Sequence, residues 1–165
     1  MDILQLIIEA VKFIFPAYCA NAIPVIAGGG ISMDFGRTLP DGRPVFGKNK
    51  TFRGFIAGLA AGTIAGLAES CLFNYPITFG FVVSLGALMG DLTGAFLKRR
   101  LSIPPGGLLP VVDQIDFIIG AILFSLLLPM PLNWELYIAV LIITPPVHLL
   151  TNYAAYRLKL KNNPW

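Results

Sequence analysis

Residues 54–73 read GFIAGLAAGTIAGLAESCLF, a run of twenty residues in which Glu69 is the one charged side chain. About 20 apolar helical residues are enough to cross the roughly 30 Å hydrocarbon core of a bilayer. Glycine recurs at every fourth position from Gly54 to Gly66, which places a smooth stripe along one helical face. The run therefore predicts a membrane-spanning helix that packs closely on another helix, either of this chain or of a second copy.

The whole chain shares this character, because 56% of its 165 residues are hydrophobic and 13% are charged. Soluble proteins are typically about 45–50% apolar and about 25% charged. We therefore expect an all-α integral membrane protein that forms a single membrane domain, 1–165, with five transmembrane helices. The predicted spans are 3–27, 54–73, 77–97, 111–128 and 134–156, and the longer loops are 28–53 and 98–110. This leaves no separate soluble catalytic domain, and the net charge of +3 is too small to predict a nucleic-acid partner.

The cations predict the orientation. Of the 12 Lys and Arg residues, all but Lys12 fall in the two longer loops or after the fifth span. Cytoplasmic loops carry an excess of Lys and Arg. We predict a multi-pass protein of the cell membrane with its N-terminus outside and its C-terminus in the cytoplasm. A count of four or six spans would divide these cations between the two sides.

The first long loop carries cations among glycines and prolines. Lys48, Lys50 and Arg53 are spaced two and three residues apart, and this pattern is typical of a mobile segment that grasps phosphate. The alternative is that these three charges only set the topology at a helix end. Loops of this length without secondary structure are uncommon in compact domains and are usually functional or disordered.

Three carboxylates are expected near the same face of the membrane. Asp91 lies inside the third span, and Asp113 and Asp116 are three residues apart at the start of the fourth. A hairpin at the turn 104–107 would bring them together. Carboxylates without a His or Cys companion favour Mg²⁺, which commonly binds through one or two carboxylates plus substrate phosphates. The alternatives are helix capping for Asp113 and Asp116, and a buried acid paired with a nearby cation for Asp91.

Basic and glycine residues between these carboxylates complete a candidate phosphate site. Lys98 lies two helical turns after Asp91, and Arg99 follows it. Both side chains can bind phosphate, and Gly106 and Gly107 would permit close approach of the backbone. The pattern predicts phosphoryl or nucleotidyl transfer at the cytoplasmic surface.

The order of these elements resembles a known signature. The motifs GDL, KRR, PPGG and DQID between Gly90 and Asp116 resemble those of the integral-membrane CTP-dependent cytidylyltransferases, the CDP-diacylglycerol synthases. The stretch DFGRTLPDGRPVFGKNKTFRG, residues 34–54, is similar to a loop of the archaeal branch, the CDP-archaeol synthases. The chain departs from the bacterial pattern at Ala95, Pro105 and Gln114, so roles of the serine, histidine and arginine found there do not carry over.

The resemblance implies a definite reaction. CTP and 2,3-bis-O-geranylgeranylglycerol 1-phosphate, an isoprenoid ether lipid phosphate, would give CDP-archaeol and pyrophosphate with Mg²⁺ as cofactor. The implied metal ligands are Asp91, Asp113 and Asp116, which together with Lys98 would be the catalytic residues. The implied CTP-binding and phosphate-binding residues are Lys48, Lys50, Arg53, Lys98, Arg99, Gly106 and Gly107.

Two other classes of function stay open on the residues alone. A small membrane transporter with a charged cytoplasmic vestibule would use the ionisable residues within the spans, Asp91, Glu9 and Lys12. A scaffold would use the glycine stripes for assembly, and these stripes also make a homo-oligomer plausible. We further expect Glu9 and Lys12 to form a structural pair, and His148 to be a packed or hydrogen-bonded histidine.

Overall fold

The structure is a computed structural model that describes residues 2–131 and 133–164. Within these residues it is helical, and no strand is formed beyond two isolated β-bridges. The helices are α1 (Ile3–Ala27), α2 (Phe52–Phe73), α3 (Phe79–Arg100), α4 (Val112–Ser125) and α5 (Trp134–Arg157). The predicted all-α class and the number of helices are confirmed.

The fourth helix differs from its predicted span, 111–128. It has 14 residues, about 21 Å at the usual rise of 1.5 Å per residue, and is too short to belong with the four helices that are long and apolar enough to cross a membrane. The helix ends because the chain tightens into turns after Ser125, before two prolines. The apolar sequence continues into these turns, where Leu128 is still buried in the core. Periodicity alone does not reveal where such a run stops being helical.

The core lies where α1, α3, α4 and α5 meet. Phe13, Phe79 and Phe117 come from three different helices, and each is at most 1% exposed. Phe13 also stacks at an angle against Tyr137 of α5, with ring centroids 5.7 Å apart. Burial of large aromatic side chains is a principal source of packing energy. The helix order around this core sets α3 directly against α4, which positions the candidate site.

The glycine stripes are used inside the chain. A methyl group at Gly66 would overlap the backbone of Gly80, and one at Gly62 would overlap Ser84 and the Pro16 carbonyl. On α3, Gly86 lies equally close to Gly120 of α4. The stripes therefore permit close packing of α2 on α1 and α3, and of α3 on α4. They supply no argument for association between copies.

One end of the bundle gathers the two longer loops and the C-terminal tail. The guanidinium of Arg43 donates to the Arg100 carbonyl at 2.5 Å, which ties the first loop to the end of α3. The side-chain amide of Asn163 donates to the Gly106 carbonyl at 3.2 Å, which ties the tail to the second loop. The expectation that these three basic segments share one side of the bundle is thus met. The side of the membrane on which they lie stays a prediction.

The predicted pair of Glu9 and Lys12 is present in α1, away from the end of the bundle where the longer loops gather. Lys12 Nζ lies 2.8 Å from Glu9 Oε1 and also stands over the ring of Phe73, 4.4 Å from its centroid. This pair joins α1 to the end of α2 and is structural, as predicted.

Candidate active site

Lys50 of the first loop and Asp91 of α3 form an ion pair. The Lys50 ammonium donates to both carboxylate oxygens of Asp91, at 2.6 and 2.5 Å. A cavity of about 40 Å³ adjoins the pair and is also lined by Pro24, Met33 and Leu88. The alternative that Asp91 is paired with a nearby cation is met, and that cation is Lys50. This contact is compatible with a purely structural ion pair and also with a phosphate-binding site in which Asp91 holds the lysine.

Lys98 instead pairs with Asp113 across the α3–α4 hairpin. The Lys98 ammonium lies 2.8 Å from Asp113 Oδ1 and donates to the Gly107 carbonyl at 3.4 Å. The other carboxylate oxygen of Asp113 accepts the Leu109 N–H at 3.0 Å. Asp113 therefore closes the loop in front of its own helix, which is part of the capping alternative, while it also faces Lys98.

Asp116 packs directly against the backbone of α3, because the α3 residues at this contact are glycines. A methyl group at Gly94 would overlap the Asp116 carboxylate, and one at Gly90 would overlap the Asp116 backbone. The Asp116 carboxylate is close enough to Asp91 for the two charges to interact. The Asp113 charge also interacts with Asp116, but more weakly than that of Asp91. The predicted hairpin, which brings Asp91 near Asp113 and Asp116, is therefore confirmed.

The arrangement fits a divalent cation only with help from substrate. Among residues 2–131 and 133–164, no three His, Cys, Asp or Glu side chains are grouped closely enough to hold a metal by themselves. Mg²⁺ commonly uses one or two carboxylates and completes its shell with phosphate and water. Asp91 of α3 and Asp116 of α4 are such a pair of carboxylates, since their charges interact where α4 packs on Gly90 and Gly94 of α3. The donor chemistry is therefore compatible with Mg²⁺ and does not test its presence.

Arg99 is the most deeply buried cation of the site. It is 4% exposed, and its Nε and Nη1 find no hydrogen-bond partner within the described residues. The Asp113 carboxylate attracts the positive charge of the Arg99 guanidinium. Buried donors without acceptors are costly and rare. An anion that reached the guanidinium would satisfy them, which agrees with the phosphate-binding role implied for Arg99 by the resemblance.

The first loop is folded around Asp34. Asp34 Oδ2 accepts the N–H groups of Phe46 and Gly47 at 3.0 and 2.7 Å, and Oδ1 accepts that of Gly36 at 3.0 Å. Burial would raise the pKa of Asp34, but these N–H groups outweigh it, and the pKa is lowered from the ordinary 3.8. The loop that leads into Lys50 is therefore built rather than loosely coiled. This role of Asp34 is not predicted above, although an Asp two residues before Gly is a turn signal.

The remaining predicted phosphate-binding residues are placed differently from one another. Lys48 is exposed beside the ordered loop. Arg53 donates to the Ala27 carbonyl at 2.9 Å and also to that of Gly28, so its guanidinium holds the end of α1. Gly106 has a φ of +87°, and Gly107 N–H donates to the Pro104 carbonyl at 2.8 Å. This is a turn that requires glycine.

Two polar residues of α5 that the sequence analysis did not assign to the site lie behind it. His148 packs against Phe117, with ring centroids 5.7 Å apart, and its ring lies 3.1 Å from the Asn152 amide nitrogen. The prediction of a packed, hydrogen-bonded histidine is confirmed. Asn152 is buried, and its amide oxygen accepts from Lys161 at 2.9 Å. Helix periodicity could not single out Asn152, because its partner Lys161 belongs to the C-terminal tail.

Comparison with known proteins identifies the family. The family model described as CarS-like, CDP-archaeol synthase, matches residues 3–165. The CDP-archaeol synthase of Pyrococcus furiosus is 43% identical over an alignment 165 positions long, which covers 96% of this chain and 98% of that protein. That of Methanopyrus kandleri is 44% identical over an alignment 157 positions long, which covers 93% of this chain and 90% of the relative.

A solved structure has the same fold. It is described as an intramembrane enzyme for archaeal membrane lipids biosynthesis, and it superposes with a TM-score of 0.83 at 38% identity, covering 88% of this chain and 94% of that one. The resemblance drawn from the GDL, KRR, PPGG and DQID motifs is thereby confirmed. The protein is a multi-pass membrane protein, and the chain belongs to the CarS-like family of CDP-archaeol synthases.

Proposed function

We propose that this chain transfers the cytidylyl group of CTP to the phosphate of 2,3-bis-O-geranylgeranylglycerol 1-phosphate. CDP-archaeol and pyrophosphate are the products, and the reaction belongs to the synthesis of archaeal membrane phospholipids. The observation that carries the proposal is the convergence of the Lys50–Asp91 and Lys98–Asp113 pairs with buried Arg99 at one end of an apolar bundle. Membership in the CDP-archaeol synthase family supports the choice of substrates.

The reaction needs no protein nucleophile. An oxygen of the lipid phosphate attacks the α-phosphorus of CTP, and the bond from that phosphorus to the bridging oxygen of the β-phosphate breaks. Pyrophosphate leaves with the electron pair, so no proton has to move. Such a transfer is accelerated mainly by positioning and by neutralising charge that spreads over phosphoryl oxygens.

We assign the cations to the phosphates. Lys98 and Arg99 would hold the triphosphate from α3, and Lys48 and Lys50 would do so from the first loop. Lys50 would exchange its contact with Asp91 for a phosphate oxygen when CTP binds. Arg53, which holds the end of α1, would have to release two carbonyls to do the same. Gly106 and Gly107 would let the second loop approach a phosphate closely, because neither has a side chain.

We assign the carboxylates to Mg²⁺. Asp91 and Asp116 would hold it, and Asp113 would do so directly or through water. Bound there, Mg²⁺ would neutralise charge on the pyrophosphate leaving group. Release of Lys50 from Asp91 would free the Asp91 carboxylate for this role, so the ion pair and the metal site are two states of the same residues.

We place the site at the cytoplasmic face of the cell membrane, where CTP is present. Eleven of the 12 Lys and Arg residues lie in the segments at that end of the bundle. The lipid phosphate would arrive laterally, with its isoprenoid chains between helices or in lipid. The transporter alternative is not favoured, because the relatives described above are named as synthases.

The proposal is tested with the purified protein in detergent. Labelled CTP is incubated with the ether lipid phosphate and, in parallel, with a diacyl ester phosphate, and the label in the lipid extract is measured. We expect labelled CDP-lipid with the ether substrate, and about 100-fold less or lower when Asp91→Asn replaces the native chain. Glu9→Gln is the matched control, since it also removes a lysine-paired carboxylate. Absence of lipid-bound cytidine from the native protein would contradict the proposal.

A further inference from the structure

The C-terminal tail is folded back onto the candidate site. After α5 ends at Arg157, the N–H groups of Leu158 and Leu160 return to the carbonyls of Ala154 and Ala155 at 3.0 and 2.9 Å. The tail then reaches the second loop through the Asn163–Gly106 hydrogen bond. These contacts give the tail a defined path beside the turn that separates Lys98 from Asp113.

The tail places its last lysine differently from the basic residues before it. Arg157 and Lys159 are exposed, whereas Lys161 is partly buried and donates to the buried Asn152 amide oxygen at 2.9 Å. A cation that served only to set membrane topology would gain nothing from burial, because removing an ammonium from water is costly unless it is compensated. The inward position of Lys161 therefore depends on partners inside the protein, of which Asn152 is one.

Lys161 lies within electrostatic range of the charged groups of the candidate site. Its charge interacts with the ammonium groups of Lys50 and Lys98 and with the carboxylates of Asp91 and Asp113. Asn152, which binds Lys161, also contacts His148. The ring of His148 packs on Phe117, the residue that follows Asp116 in the sequence. The tail lysine is thus tied through α5 to the helix that carries two of the three carboxylates.

Around the α3–α4 hairpin, the residues that the structure describes bring together more cations than carboxylates. The four cations are Lys50, Lys98, Arg99 and Lys161, and the three carboxylates are Asp91, Asp113 and Asp116. Like charges that face each other repel, and the repulsion is larger where water is displaced. Buried Arg99 also keeps two nitrogen atoms without a hydrogen-bond partner within the described residues. A phosphate group supplies several acceptors and the negative charge that would balance the set.

We infer that Lys161, presented by the C-terminal tail, is a further phosphate-binding residue of this site. The inference rests on the proposed function, since the phosphate is that of a substrate. It belongs either to the triphosphate of CTP or to the lipid phosphate. Both present the same chemistry to an ammonium group, and the kinetic experiment separates them.

The first experiment compares Lys161→Gln, Lys161→Arg and the matched control Lys159→Gln, which removes an exposed lysine two residues away. The KM for CTP is measured at saturating lipid phosphate, and the KM for lipid phosphate at saturating CTP. We expect Lys161→Gln to raise one KM about 10- to 100-fold, the worth of a hydrogen bond to a charged group. The KM that rises identifies the phosphate. Lys161→Arg should stay within about threefold and Lys159→Gln within about twofold of the native values.

The second experiment uses the native protein, so it does not depend on a variant that folds. An amine-acylating reagent is applied with and without Mg-CTP or lipid phosphate, and modification of Lys161 and Lys159 is followed by mass spectrometry. We expect one substrate to slow modification of Lys161 at least about fivefold relative to Lys159, because a phosphate contact shields the amine.

Unchanged KM values in Lys161→Gln, equal effects of Lys161→Gln and Lys159→Gln, or equal slowing of both lysines would overturn the inference. Native turnover is measured in the same preparation, so failure of the proposed function is recognised separately as an inactive native protein.

Discussion

The ammonium group of Lys50 bridges both carboxylate oxygens of Asp91, at 2.6 and 2.5 Å, although the two residues are 41 positions apart. The contact joins the first loop to α3 at the point where α3 is packed on α4. It couples a loop cation to a carboxylate within a membrane helix, and each group partly neutralises the other. Substrate phosphate and a divalent cation would compete for these two partners.

Replacement of Asp91 by asparagine is expected to abolish most activity while the fold persists. The side chain keeps its shape but loses the charge that a cation would bind, and the loss of such electrostatic stabilisation costs about 100-fold or more in kcat. The measurement is cytidine incorporation into lipid, with thermal melting in detergent as the check on folding. Glu9→Gln should remain at the native rate. A native rate in Asp91→Asn would mean that Asp91 is structural.

The loop lysines are expected to act on CTP affinity. Replacing Lys48 and Lys50 together by alanine removes two ammonium groups from the first loop and should raise the KM for CTP about 10- to 100-fold. The comparison variant is Arg53→Ala, which removes the contacts to the end of α1 and should lower the melting temperature. An unchanged KM in the double variant would leave these lysines with a role in topology alone.

Turnover is expected to require Mg²⁺, and this requirement is expected to depend on the carboxylates of Asp116 and Asp91. We expect excess chelator to stop turnover and added Mg²⁺ to restore it. Asp116→Asn should raise the Mg²⁺ concentration needed for half-maximal rate and remove nearly all activity. Asp113→Asn should also be inactive, but with a lower melting temperature, because Asp113 holds both Lys98 and the Leu109 N–H. Turnover that persists in excess chelator would contradict the assignment of Mg²⁺.

The close contact of α3 with α4 is expected to tolerate no side chain at Gly94. Alanine there would push its methyl group into the Asp116 carboxylate, and overpacking of this kind costs about 1–3 kcal/mol. Gly94→Ala should therefore melt at a lower temperature and lose most activity, since Asp116 would be displaced. Thr93→Ala is the control, because Thr93 is exposed on the same helix. Native stability together with native activity in Gly94→Ala would refute this packing.

Asp34 is expected to make the stability of the first loop depend on pH. Because its pKa is lowered below 3.8 in the folded protein, its contribution is fully present above that value and is lost as pH falls through the folded pKa. Asp34→Asn should melt below the native protein at neutral pH, and the difference should shrink in more acidic buffer. Thermal melting across this range is the measurement. A difference that stays constant or grows with acid would show that the Asp34 charge does not stabilise the loop.

Much of the architecture follows from local chemistry. Apolar runs of helical length predict the helices, and their ends agree within a few residues for α1, α2, α3 and α5. The hairpin at residues 104–107 is predicted by adjacent prolines and glycines, and Gly106 indeed has a positive φ. The short α4 is the exception, because its apolar run contributes to the core from a turn as well as from a helix.

The pairing of charges could not be obtained in the same way. Helical spacing places Asp91 and Lys98 on one face, yet the structure pairs each with a residue of another segment. The glycine stripes predicted close packing without naming a partner, and only the bundle assigns them to helices of the same chain. The sequence pattern places Lys161 among the cations that set the topology, whereas in the structure the path of the tail brings it inward to Asn152.

By itself, the sequence determined that the chain forms apolar membrane helices, that its charges collect in two loops and a tail, and that its motifs resemble those of CDP-archaeol synthases. These properties depend on composition, on short-range periodicity and on residue order. The tertiary structure decided which charges meet, because a contact such as Lys50–Asp91 spans 41 residues and depends on how three helices pack. It also decided that Asp34 organises the loop and that Lys161 lies within electrostatic range of the site, since both depend on partners that no local pattern specifies.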